Sequence, residues 1–114
     1  MALILWHNPR CSKSRAALAL LEERGVAATV RRYLDDAPSL DELRAAQSAL
    51  GVPAIEMVRV KEAEFKAMGL TRDSGDAALL AAMAAAPKLV ERPILFDGDR
   101  AVIGRPPERV LDLL

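Results

Sequence analysis

The chain has 114 residues, one cysteine, one histidine, and 16 basic against 16 acidic side chains for a formal net charge of zero. With 52% hydrophobic and 28% charged residues it has enough apolar surface for one domain over 1–114 and lies far from disordered compositions. A single thiol excludes internal disulfides and multi-thiolate metal or iron–sulfur centres, and the balanced charge argues against a general nucleic-acid binder, which neutralises phosphates with a basic excess.

Ala2 to Trp6 is a continuous apolar run, predicting a fully buried central strand that ends at the loop His7-Asn8-Pro9. No basic region precedes the run, which is too short for a signal peptide. The longest apolar run, Ala77 to Ala86, falls short of the roughly 20 residues that cross a bilayer. The expectation is a soluble cytoplasmic protein with no membrane partner. From Ser14 the pattern is helical, with Leu18 and Leu21 on one face, and it stops at Gly25. Ala28 to Tyr33 reads as a second strand, making a β-α-β unit whose short crossover implies parallel strands.

The middle of the chain is helical throughout. Ser39-Leu40-Asp41-Glu42 has capping-box spacing and opens a helix to Gly51. Pro53 starts a short helix toward Val58, Lys61 to Met68 forms a further turn or two closed by Gly69, and Ser74 caps an alanine-rich helix ended by Pro87. Residues 38–87 thus make a helical insert. Arg92 to Phe96 resumes strand character, Asp97-Gly98 signals a hairpin, and Ala101-Val102-Ile103 pairs back. Pro106 or Pro107 opens a last helix with Val110, Leu111 and Leu114 facing inward. The order β-α-β, insert, β-β-α, with a cysteine after the first strand and a proline before the third, is the layout of the α/β thioredoxin-like fold.

Cys11 falls between a strand end and a helix start, where free backbone amides, the helix dipole and nearby cations favour a thiolate. Polar neighbours on both sides mark it as a reactive thiol rather than a buried hydrophobe. His7 has two readings that sequence leaves open: an orienting hydrogen-bonder, or a charge partner of the thiolate. Ser14 stands where a dithiol oxidoreductase carries its second cysteine. Arg92 and Arg105 each precede a proline at the edges of the last two strands; either they are solvated, or they converge on the thiol as an oxyanion pocket. Arg15, Arg24, Arg44, Arg72 and Arg109 read as solvated surface charges.

These residues resemble the glutaredoxin-coupled arsenate reductases and arsenate-reductase-like proteins of the thioredoxin superfamily, over essentially the whole chain. His7-Asn8-Pro9-x-Cys11-x-x-Ser14-Arg15 is similar to that family's active-site loop. Met57-Val58-Arg59, Glu91-Arg92-Pro93-Ile94 and Gly104-Arg105-Pro106 follow in the family's order, as does the ending Val110-Leu111-Asp112-Leu113-Leu114. The resemblance implies that Cys11 attacks arsenate to form a covalent adduct and that His7 supports the thiolate. It also implies that Arg59, Arg92 and Arg105 hold the oxyanion, that Asn8, Ser14 and Arg15 support the loop, and that Pro93 is a cis proline. Glutathione would be co-substrate, glutaredoxin would resolve the mixed disulfide, and no cofactor would be bound. Ser12-Lys13 departs from the Gly-Thr of characterised members, which also extend beyond the last helix, and points to a short reductase-like branch. Two other functions fit the same scaffold. One is a glutathione-dependent thiol reductase or deglutathionylase using Cys11; the other is an Spx-like regulator that contacts RNA polymerase, whose usual Cys-x-x-Cys switch Ser14 removes.

Overall fold

The computed structural model describes residues 3–114. They fall into two compact units: residues up to Asp36 together with Arg92–Leu114, and Ala37–Glu91. The first unit contains β1 (Leu3–Trp6), α1 (Ser12–Glu23), β2 (Ala28–Arg31), β3 (Ile94–Asp97), β4 (Arg100–Ile103) and a closing 3-10 helix over Pro107–Leu113. Its four strands lie in the order β2-β1-β3-β4. β1 pairs with β2 in parallel, Leu5 opposite Val30, and with β3 antiparallel, Leu5 opposite Leu95.

Central β1 is only half covered. Leu5 and Trp6 are buried, Leu3 is half-buried and Ile4 is 39% exposed, so the expected fully buried strand is corrected to an alternating one. The expected first residue of that strand, Ala2, lies outside the described residues. One face of the sheet carries a core of Leu5, Ala17, Leu21, Leu95, Val102 and Val110. Trp6 packs against Phe96 with ring centroids 4.7 Å apart, and the Arg31 guanidinium lies 5.6 Å from the Trp6 ring.

Helix α1 starts two residues before the expected Ser14, because Cys11 itself is the N-cap: its amide bonds to the Asn8 carbonyl and its own carbonyl takes the Arg15 amide. The polar first turn, Ser12-Lys13, gave no apolar signal. At the other end Gly25, at φ 67°, sends its amide to Glu22, and the Val26 amide reaches Leu21, the two bonds of a Schellman motif. β2 stops at Arg31 rather than Tyr33, since the Arg32 carbonyl accepts from both Asp35 and Asp36 and turns the chain away. β3 begins at Ile94 rather than Arg92, because Pro93 has no amide to give a ladder. The hairpin between β3 and β4 turns on Gly98 and Asp99, with Gly98 alone at positive φ.

The closing helix is 3-10, and this decides which apolar residues turn inward. Three residues per turn align Val110 with Leu113, which packs on the core together with Leu111. Leu114, expected to face inward on α-helical spacing, is instead 52% exposed. The peptide bonds Arg92–Pro93 and Arg105–Pro106 are both cis.

The second unit holds α2 (Leu40–Leu50), a 3-10 turn at Ala54–Met57, α3 (Ala63–Ala67), α4 (Asp76–Ala85) and a 3-10 turn at Pro87–Leu89. The capping box of α2 is complete: Ser39 accepts from the Glu42 amide and Glu42 accepts from the Ser39 amide. Gly51 closes α2 in the left-handed region. The expected Ser74 cap is displaced to Gly75, because the Ser74 hydroxyl accepts from the Thr71 amide in a local turn. Asp76, in the first turn of α4, accepts from Gln47 and from the Ala54 amide and so ties three elements of the unit together. An antiparallel bridge between Val58 and Val90 sets Met57 and Arg59 beside Leu89 and Glu91.

Candidate active site

The loop from His7 to Cys11 is held by hydrogen bonds that converge on Ser14, a fully buried side chain. Ser14 Oγ accepts from the Asn8 amide at 3.1 Å and lies 2.6 Å from His7 Nδ1. Asn8 Oδ1 accepts from the Arg10 amide, and Arg15 donates to the Pro9 carbonyl at 2.9 Å. Residue 14 therefore carries the loop's internal bracing, and Arg15, read from sequence as solvated, spans the loop's base.

The His7 ring is buried, and burial, followed by the charges of Arg32 and Arg15, lowers its pKa below 6.5. A neutral ring with its proton on Nε2 accepts the Ser14 hydroxyl at Nδ1, which completes a chain from the Asn8 amide through Ser14 to His7. The stability held by neutral His7 is therefore present above pH 6.5, where the unfolded ring is also neutral, and is lost as pH falls toward the lowered folded value. We expect the His7 ring to titrate below pH 6.5 by NMR. Denaturation stability should fall with pH below that point, and His7→Gln should remove this component of the pH dependence.

Cys11 is partly exposed at the N-cap of α1, with the amides of Ser12, Lys13 and Ser14 at the open end of the helix beside it. Arg105 directs Nη2 at the Cys11 sulfur, 3.9 Å away, while its Nε donates to the Arg92 carbonyl at 2.9 Å. Arg92 thus contributes a backbone oxygen that orients Arg105. Pro93 follows it, and its carbonyl accepts from the Gly104 amide at 2.8 Å. Arg59 belongs to the second unit, where it is paired with Glu62 at 2.6 Å and Glu91 at 3.8 Å. Arg44 and Arg109 lie exposed beside Asp41 and Asp112.

Gly104, which opens the Gly104-Arg105-Pro106 motif, is a positioning residue. A Cβ there would stand 2.7 Å from Pro93 Cγ and 2.9 Å from Val110 Cγ1, a proline ring and a buried valine that have little room to move. Gly104→Ala is expected to cost about 1–3 kcal/mol in denaturant unfolding and to shift Arg105 off the sulfur. A loss under about 0.5 kcal/mol would contradict this packing. Sequence reasoning also missed Arg32 as a neighbour of His7 and the carboxylates on Arg59. The Arg59–Glu62 spacing of i,i+3 was the available signal for the latter.

Among the described residues, no helix is long and apolar enough to cross a membrane. Comparison with known proteins agrees with the architecture. Over 108 residues the chain is 50% identical to a Neisseria meningitidis serogroup B protein named arsenate reductase, covering 93% of this chain and 92% of that protein. It is 42% identical to a Haemophilus influenzae protein of the same name, with both chains fully covered. A solved structure described as an arsenate reductase from Vibrio cholerae superposes with a TM-score of 0.94 at 46% identity, covering 100% of this chain and 98% of that one. The chain shares this thioredoxin-like fold, as the element order predicts. The ArsC family model matches residues 6–113, and the chain belongs to the ArsC family.

Proposed function

We propose that the protein reduces arsenate to arsenite through a covalent Cys11 adduct, with glutathione as co-substrate and glutaredoxin as the resolving partner. The contact that carries this reading is Arg105 Nη2 against the Cys11 sulfur at the open end of α1. A fixed cation beside a thiol at a helix N-terminus is suited to bringing a tetrahedral anion and a sulfur nucleophile together. The thiolate attacks As(V), a sulfur–arsenic bond forms, and one arsenic hydroxyl takes up a proton from the solvent and leaves as water. A glutathione thiol then attacks the Cys11 sulfur. The sulfur–arsenic electron pair stays on arsenic, which departs as As(III), and the two sulfurs are left as a mixed disulfide. A glutaredoxin thiolate takes the glutathionyl group and frees Cys11. Arg92 and Arg59 are read as the other anion-binding arginines, and neutral His7 as a brace that fixes the loop through Ser14. The described site lies in a chain with one cysteine, which suits resolution by outside thiols.

A cleft on the loop is lined by His7, Asn8, Pro9, Arg10, Arg32, Leu34 and Asp35, and Cys11 is not among its lining residues. The test is NADPH loss in a coupled assay of the protein, arsenate, glutathione, glutaredoxin and glutathione reductase, with each component omitted in turn. Oxidation that requires both arsenate and the two thiol components supports the proposal. Consumption of a glutathione mixed disulfide without any response to arsenate replaces it with the thiol-reductase reading.

A further inference from the structure

We propose that Glu62, together with Glu91, sets the oxyanion affinity of Arg59 by competing with the anion for its guanidinium. The inference rests on the reading of Arg59 as an anion-binding arginine and adds the residues that tune it. Arg59 Nη1 donates to Glu62 Oε1 at 2.6 Å, and its Nε lies 3.8 Å from Glu91 Oε1. The Glu62 carboxylate already holds one edge of the guanidinium, with Glu91 near its Nε, so an arriving anion must compete for a cation that a bare arginine would offer freely. Arg59, Glu62 and Glu91 are 24%, 27% and 20% exposed, so bulk water screens the three charges only in part.

The arrangement is held by the backbone on both sides. The Arg59 amide bonds to the Leu89 carbonyl at 2.8 Å and the Glu91 amide to the Met57 carbonyl at 2.7 Å, across the Val58–Val90 bridge. This ladder fixes Glu91 next to Arg59. On the other side the Glu62 amide bonds to the Arg59 carbonyl at 3.1 Å, closing a turn that returns the Glu62 carboxylate to the same guanidinium. Glu62 is the N-cap of α3, yet its side chain makes no capping bond and is directed to Arg59 instead. Arg59 Nη2 has no hydrogen-bond partner among the described residues and is the edge left for an anion. An anion that takes that edge must then draw Nη1 from Glu62, a carboxylate already 2.6 Å away, so its affinity for Arg59 depends on the charge of Glu62.

The test is calorimetric titration of inorganic arsenate into the full chain carrying Cys11→Ser, which binds without reacting. Adding Glu62→Gln keeps an acceptor oxygen for Arg59 but removes one negative charge, and arsenate binding should tighten about three- to tenfold. Adding Arg59→Ala as well should erase that gain. Unchanged or weaker binding in the Glu62→Gln protein, or a gain that survives Arg59→Ala, overturns the proposal, as does absence of binding in every variant. A purely structural ion pair would lower the melting temperature and leave arsenate affinity where it was. The coupled assay separates this from the broader reading: a protein that reduces arsenate yet shows no tightening loses only the carboxylate control. A protein that shows the tightening but fails the assay is an oxyanion binder with that control intact.

Discussion

Cys11→Ser is expected to lower arsenate-dependent turnover by at least about a thousandfold while the fold survives. The oxygen is close in size to sulfur but stays protonated near neutral pH, so the variant presents an alcohol where the mechanism needs a soft anion. Stability gives an internal control. Cys11 is the N-cap of α1 and makes no side-chain capping bond, and serine is among the best residues for that position. The variant should therefore unfold at the same denaturant concentration as the parent or slightly above it. Loss of activity at undiminished stability assigns the chemistry to the thiol. Activity that persists in the serine protein would end the covalent mechanism.

Arg105→Ala should reduce arsenate-dependent efficiency by about 10- to 150-fold, the equivalent of about 1.5–3 kcal/mol for one charge-assisted contact. The guanidinium does two things at once: Nε is anchored on the Arg92 carbonyl and Nη2 faces the sulfur. Lysine keeps a charge but offers a single compact head that cannot do both, so Arg105→Lys should fall between the parent and alanine. Arg24→Ala and Arg44→Ala serve as controls, since Arg24 is exposed at the end of α1 and Arg44 pairs with exposed Asp41 at 3.5 Å. If kcat/KM for arsenate falls no further in Arg105→Ala than in these controls, the oxyanion site is wrongly placed.

Local chemistry explains which parts of this fold can be read from its residues. Gly25, Gly51 and the Ser39–Glu42 box announce helix ends because each solves a backbone problem within a few residues. The parallel β1–β2 pairing follows from the helical crossover that α1 makes between the two strands. The residues are ambiguous where two local solutions compete. Ser74 has the chemistry of a cap but spends its hydroxyl on Thr71, and Leu114 has the spacing of an α-helix in a segment that winds as 3-10. At the site, Cys11, His7, Ser14 and Arg105 are close in space because a strand end, a helix start and a strand edge meet there, and the motif spacing carries that information. The partners of those residues are less visible. Nothing in the spacing distinguishes a histidine directed at the thiol from one bonded to Ser14, and the contact of Gly104 with Pro93 and Val110 depends on packing between segments.

The burial of Ser14 also has a kinetic meaning. One helical turn from Cys11, at the place where a second sulfur would allow ring closure, the chain has a hydroxyl already committed to Asn8 and His7. An oxidised Cys11 therefore has no unimolecular way back through residue 14. Its lifetime is set by collision with thiols in solution and varies inversely with their concentration, so the recovery of this sulfur reports how reducing its surroundings are.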